Sequence, residues 1–356
     1  MSSAKPPTPD PGGPIPPGAR SATLPLALGL AHRLAQRREH VELQGTVIHR
    51  SRDLTLAATA AAAAIAALLG LIAPPLGLLG VALVLMSGYR DLEGGSGWVR
   101  RMLVLKDLGH NVIVWRSLRT LPAAAPQTYK RRPPRPPHRS LDSGPILILL
   151  APSDGDPDRP DLLRAVLKTI GLIAFILAGL GIVWGATLAL WATGLFIFIG
   201  TVAWSRHLTR PPSRAPASHI EDVLTVIDAT QKTPPKHLAL SFVFMEGLSG
   251  HADAVEIFLR NYAPMLPRDT ARILVLTPGT GPIAVIEKEG WLRRRAADPL
   301  IVNTTPVKLD AYAVTPAARA LRVGHPAATV RGDLSDTQRI LDIIARLDHA
   351  AAEGQW

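Results

Sequence analysis

The sequence predicts an α/β domain with a mostly parallel sheet, interrupted by two transmembrane helical hairpins that would supply four membrane helices. Three observations lead there. Leu54–Tyr89 and Thr169–Ser205 contain no Lys, Arg, Asp or Glu, and each is close to twice the ~20 residues of a bilayer-spanning helix. Basic residues flank both runs. Outside them, short apolar runs alternate with amphipathic segments, as in a sheet covered on both faces.

Residues 1–20 are rich in Pro, Gly and Ser and read as a disordered tail. Residues 21–53 form the first part of the domain, with a helix over Leu24–Gln36 and a strand over Val41–Ile48. A single helix over 54–89 would run about 54 Å, too long for a hydrocarbon core of about 30 Å. The chain is therefore expected to fold back at Pro74-Pro75, where the ring removes a donor and stops a helix. Residues 90–168 return to the domain with a strand at Asn111–Trp115, a basic Pro-rich loop at 130–139, and a continuous apolar strand at Ile146–Ala151 bounded by Pro145 and Pro152. The second hairpin, 169–205, has Gly179, Gly181 and Gly185 as its turn signal. Residues 206–356 alternate: helix His219–Gln231, strand Leu238–Met245, helix Gly250–Tyr262, strands Arg272–Thr277, Ile283–Ile286 and Ala327–Val330, and a closing helix Asp336–Ala351.

Charge bounds the class. The net charge of +11 admits nucleic acid, but its distribution favours a membrane surface. Arg33, Arg37, Arg38, Arg50 and Arg52 precede the first run, and Arg90, Arg100 and Arg101 follow it. Arg159, Arg164 and Lys168 precede the second, and Arg206, Arg210 and Arg214 follow it. Uncharged tips between basic flanks follow the positive-inside pattern. The expectation is a multi-pass protein of the inner (cytoplasmic) membrane, with the lipid bilayer as partner and the domain and both termini cytoplasmic. The chain has no cysteine, which excludes disulfides and thiolate metal sites.

Several phrases then resemble, in order, the co-catalytic zinc aminopeptidases of metallopeptidase family twenty-eight, the bacterial aminopeptidase and glutamate carboxypeptidase type. Asn111-Val112-Ile113 is similar to a strand of that family, and Pro145–Asp154 to its strand followed by H-x-D. Ser241–His251 (Ser-Phe-Val-Phe-Met-Glu-Gly-Leu-Ser-Gly-His) is similar to its F-V-F, E-E, G-L-x-G-S strand and loop. Arg272–Gly279, Gly324–Ala327 and Asp336-Thr337 resemble its later segments. The resemblance covers about residues 110–154 and 215–352. It implies a three-layer α/β/α domain, and a two-zinc site in which the metals hold a hydroxide and polarise a peptide carbonyl while a glutamate acts as base.

The residues at the corresponding positions depart from that site. The first metal-binding His falls on Pro152, a later Asp on Thr277 and the last His on Gly332. The bridging Asp falls near Pro216, with no carboxylate until Glu221, and of the Glu pair only Glu246 remains. The resemblance thus implies a pseudoenzyme: a membrane-anchored, zinc-peptidase-like protein without metal or catalysis, binding a peptide or protein end or serving as a scaffold. Asp154, Glu246, Gly250, Asp336 and Thr337 would line the old cleft, with Glu246 the one candidate base. The alternative is an active membrane-bound metallopeptidase whose zinc ligands have been rearranged.

Other chemistry finds little support. Asp154-Gly155-Asp156-Pro157-Asp158 begins like a calcium loop, but its sixth position is Arg159 and its twelfth Ala165. His219, His237, His251 and His325 lie near the loops of the presumed cleft without forming a short-range ligand pair. The glycines of Thr277–Gly281 are not followed by a P-loop Lys. No G-x-S-x-G elbow occurs, and the uncharged runs offer no polar path for a transporter.

Overall fold

The computed structural model describes residues 24–37, 39–48, 52–92, 97–103, 107–116, 144–153, 186–209, 219–246, 248, 253–263, 266–279, 281–290, 294–305, 307–309 and 315–356. In chain order these hold α1 (Leu24–Gln36), β1 (Val41–Ile48), α2 (Arg52–Leu69), α3 (Pro74–Leu92), α4 (Trp98–Leu103), β2 (Asp107–Arg116) and β3 (Ile146–Pro152). There follow α5 (Ala186–Thr209), α6 (Ile220–Lys232), β4 (Ala239–Met245), α7 (Asp253–Asn261) and β5 (Ala271–Pro278). The last part holds β6 (Ala284–Ile286), β7 (Lys288–Glu289), β8 (Arg295–Ala296), α8 (Pro299–Thr304), β9 (Lys308–Leu309), α9 (Pro316–Arg322), β10 (Ala327–Gly332) and α10 (Thr337–Ala352). The chain divides into two compact units. One comprises Met1–Ile48, Asp107–Asp156 and Ser213–Trp356, the other His49–Lys106 and Pro157–Pro212.

The first unit is built on an eight-stranded sheet in the order β1-β2-β4-β3-β5-β10-β6-β9. Every residue of β3 is buried, because its run Ile146–Ala151 has apolar side chains for both faces of the sheet. Leu147, Leu149 and Ala151 meet α1, α6 and α10 in one core. Ile146, Ile148 and Leu150 meet α7 and α9 in the other. Side chains alternate across a strand, so one apolar run serves two helical layers, and the unit is a three-layer α/β/α sandwich. The helices match this demand. In α6, Val223, Leu224, Val226 and Ile227 are buried, and in α10 Ile340, Ile343, Ile344 and Leu347 are, each set forming one helical stripe.

The sheet is mixed, with four parallel and three antiparallel junctions. β3 runs parallel to β4 and β5, β5 parallel to β10, and β6 parallel to β9. The β1/β2, β2/β4 and β10/β6 junctions are antiparallel. Loop length accounts for β6. A parallel return needs a crossover of a dozen or more residues, and only the short Gly279–Ile283 connection separates β5 from β6.

The expected four membrane helices and multi-pass cytoplasmic-membrane placement are overturned: among the described residues no helix is long and apolar enough to cross a membrane. For α2 and α3 the physical reason is length. The turn after Leu69 leaves α2 with 18 residues beginning at Arg52-Asp53, so its uncharged part spans about 24 Å. The uncharged part of α3, which closes on Tyr89-Arg90-Asp91, is equally short, against about 30 Å of hydrocarbon. Of the second run, 169–185 lies outside the described residues, as do the 1–20 tail and the 130–139 loop.

The second unit packs α2, α3 and α5 through small residues. Ala63, Ala64, Ala66 and Ala67 of α2 are buried with Val81 and Val84 of α3 and Phe196 of α5. The hairpin closes so tightly that a Cβ on Gly77 would lie 2.3 Å from the Gly70 Cα. Ser87 Oγ accepts a hydrogen bond from the Val99 amide at 3.0 Å, tying α4 to α3.

Two variants test these packing statements. Gly77→Ala drives its methyl into the Gly70 backbone and is expected to destabilise the protein by about 1–3 kcal/mol. Gly194→Ala in α5, whose methyl would meet nothing within 4 Å, is expected to stabilise by up to about 1 kcal/mol through helix propensity. Thermal denaturation of the pair reads both signs.

Glu289 yields a second test. Its side chain is fully buried, accepts the Thr329 amide at 2.7 Å and receives the Thr315 hydroxyl. Thr315 Oγ1 in turn caps α9 by accepting the Ala318 amide at 3.1 Å. Burial pushes the carboxyl up to about 7, against the partial opposition of these hydrogen bonds. The folded state therefore holds a proton that the unfolded chain releases near 4.5. The associated stability, on the order of 3 kcal/mol, is complete below that pH, shrinks as pH rises, and is gone above about 7. Glu289→Gln is expected to remove this part of the slope, so that its melting temperature gains on that of the wild type between pH 4.5 and 8.

Candidate functional site at the carboxyl edge of the sheet

In open α/β sheets, ligands sit outside the carboxyl ends of the strands, where the strand order reverses. Here that place is the end of β3. The chain passes from β3 to β4 through α6 on one face and from β4 to β5 through α7 on the other. Pro152, Met245, Pro278 and Gly332 end the four parallel strands.

The residues at this edge are held by structural bonds. Pro152 presents a backbone carbonyl, which accepts a hydrogen bond from His219 Nε2 at 2.9 Å. The Ser153 amide donates to Met245 O at 2.9 Å, extending the β3/β4 ladder past the strand ends. Glu246 is 3% exposed, and its Oε2 accepts the His110 amide of β2 at 3.0 Å. Glu221, the first acid after the expected bridging position, pairs with Arg33 of α1 at 2.7 Å, and Arg33 holds its carboxyl below the usual range. Thr277 lies in register with Arg331. At Gly332 a Cβ would stand 2.6 Å from the Ile283 Cα and 2.8 Å from Pro282 O, so this position has no room for any side chain.

Asp336 and Thr337 start α10. The Asp336 side chain accepts the Arg339 amide, and the Thr337 amide donates to Ser335 O at 2.8 Å. Asp154 and Gly250 lie outside the described residues, as do Pro216 and His251. Of the expected cleft residues, the structure thus puts Glu246, Asp336 and Thr337 at the carboxyl side of their strands and gives each a structural partner.

His219, Asp222 and Asp333 interact electrostatically. A carbonyl can only accept, so His219 carries its proton on Nε2 toward Pro152, leaving Nδ1 a lone pair. Burial lowers the His219 pKa, opposed by the Pro152 bond and the charge of Asp222. Burial raises the Asp222 pKa, and the charge of Asp333 adds to it. A hydrogen bond from Ser335 lowers that of Asp333. The result is a negative corner beside a neutral imidazole. Among the described residues no three His, Cys, Asp or Glu side chains converge closely enough to hold a metal ion. His237 and His325 do not join this corner. The His237 amide donates to Asp348 Oδ1 at 2.8 Å, and His325 is buried, with its pKa lowered mainly by burial.

Sequence reasoning named His219 only as one of several scattered histidines, and it did not single out Asp222 or Asp333. The available signal was spacing: His219 and Asp222 lie three apart at the start of a helix, where side chains share a face. Glu289 gave no signal, since Lys288-Glu289-Gly290 reads as a polar surface turn.

No family model and no curated protein matches the chain. The structure is similar to the crystal structure of Porphyromonas gingivalis glutaminyl cyclase, with 10% identity, 95% of this chain and 93% of that one covered, and a TM-score of 0.34. So loose a superposition carries no argument.

The crowding at Gly332 is directly testable. Gly332→Ala is expected to lose about 1–3 kcal/mol of stability through contact with the Ile283 and Pro282 backbone, read by chemical denaturation. A neutral result would mean that position 332 has room for a side chain.

Proposed function

We propose that this chain is a non-catalytic binding protein built on an aminopeptidase-like domain, and that the carboxyl edge of its sheet takes the amino end of a peptide or protein. The observation that carries the reading is the state of Glu246. The one acid at the expected base position is buried and bonded to the β2 backbone. A general base must reach the proton it abstracts, and a carboxylate held on the sheet's own amide is poorly placed to do so. Pro152 and Gly332 support the same reading, since neither has a side chain able to ligate zinc. The ligand class follows from charge: Asp222 and Asp333, beside a neutral His219, suit a cationic ammonium group. The second reading, a metallopeptidase with rearranged zinc ligands, rests on the sequence resemblance.

One set of measurements separates the two. The binding reading expects well under one equivalent of zinc in the purified protein and no cleavage of aminoacyl substrates. It also expects peptide binding that weakens when the peptide is amino-acetylated or when Asp222→Asn and Asp333→Asn are combined. Glu246→Gln should cost about 1 kcal/mol of stability and leave binding intact. One or two tightly held zinc ions, with hydrolysis abolished by Glu246→Gln, would establish the peptidase instead.

A further inference from the structure

In the helical unit, Ile65, Leu69, Ile72, Leu76, Leu79 and Met86 are exposed. Ile65 and Leu69 on α2, and Leu76, Leu79, Leu83 and Met86 on α3, recur at steps of three and four residues, so each arm carries an exposed apolar stripe, with Ile72 in the turn between them. Ile72, at the tip, is 86% exposed. Contiguous apolar surface on this scale marks an interaction site. The occupant is decided by two further observations.

The first is the composition around the face. A surface meant for another protein carries a polar rim, but Leu54–Tyr89 contains no charged residue, and the positions beside the face are largely Ala, Gly and Leu. Along the sequence, charge appears only in the segments flanking this run, where Arg50, Arg52, Arg90, Arg100 and Arg101 outnumber Asp53, Asp91 and Glu93. An apolar tip with a basic base is complementary to acyl chains beneath anionic headgroups.

The second is the turn itself. An apolar medium penalises every unpaired backbone donor, and the tip leaves none. The Gly70 amide donates to Ala66 O and Ala67 O, Leu71 to Leu68 O, Ile72 and Ala73 to Leu69 O, and Leu76 and Gly77 to Ala73 O. Pro74 and Pro75 have no amide hydrogen to satisfy.

We propose that the tip of the α2–α3 hairpin docks onto an anionic lipid surface, its exposed apolar face entering the acyl region from one side without crossing it. The chain lacks cysteine, so Ile72→Cys provides a single site for an environment-sensitive fluorophore on the full-length protein. With vesicles of phosphatidylcholine and phosphatidylglycerol, the label's emission is expected to shift to the blue and the protein to co-float. Binding should weaken as salt rises or as phosphatidylglycerol is withdrawn. Ile72→Glu with Leu76→Glu is expected to cut vesicle binding roughly ten-fold or more, while far-UV circular dichroism and melting temperature hold, because both side chains are exposed. The proposal fails if the emission is unmoved by vesicles, or if the double variant floats like the wild type. It fails equally if the label is shielded without vesicles in a concentration-dependent way, which would assign the face to a second copy of the chain.

Discussion

The domain depends on the burial of β3 on both faces. A strand in that position cannot alternate apolar with polar residues, because each side chain, whichever way it points, enters a core. Ile146–Leu150 meets the demand with branched side chains, each worth about 1.5–3 kcal/mol when fully buried. Its neighbours follow from it. β4 and β5 pair along its two edges, and α6 and α7 must cross opposite faces to reach them. The reversal of strand order that creates the carboxyl-edge site is thus a consequence of one fully apolar strand standing between the first two crossovers.

The helical unit solves its packing differently. Alanine dominates the interior beside Val81, Val84 and Phe196, so that backbones approach closely, while many Leu and Ile side chains face outward. This inverts the usual disposition of large apolar residues, which in water gain most by being buried. Small residues inside and large ones outside are stable when the outer surface meets something apolar, and the closed hydrogen bonding of the hairpin tip fits the same environment.

Legibility in the sequence followed the strength of the local constraint. β3 was readable because an apolar run between prolines has few alternatives, and α1 and β1 fall where their periodicities begin and end. The first membrane hairpin was misjudged for a physical reason. Absence of charge measures how apolar a run is, but spanning depends on the length left on each side of the turn, and the turn at Gly70–Ala73 shortens both arms. The antiparallel course of β6 was equally hidden, since orientation is set by loop length and by the neighbour a strand finds. At the site, Pro152 and Gly332 could be read as positions lacking ligand atoms, but not that the Ile283 backbone fills the space beside Gly332. Nor could the sequence show that Glu246 reaches back to β2, because such pairings join residues more than a hundred positions apart.

The carboxyl edge shows how a site can keep polar groups while losing freedom. A ligand-binding or catalytic side chain has to retain an unsatisfied donor or acceptor pointed at the substrate. At this edge the Pro152 carbonyl is taken by His219, Glu246 by the His110 amide and Glu221 by Arg33. What remains is the negative charge of Asp222 and Asp333, which acts over distance and tolerates loose geometry. Ligation and proton transfer need atoms placed to within a few tenths of an ångström, whereas attraction of a cationic end does not. On the proposed binding reading, an edge arranged in this way can recognise a cationic end without catalysing a reaction, because its other polar groups are engaged in bonds of the fold.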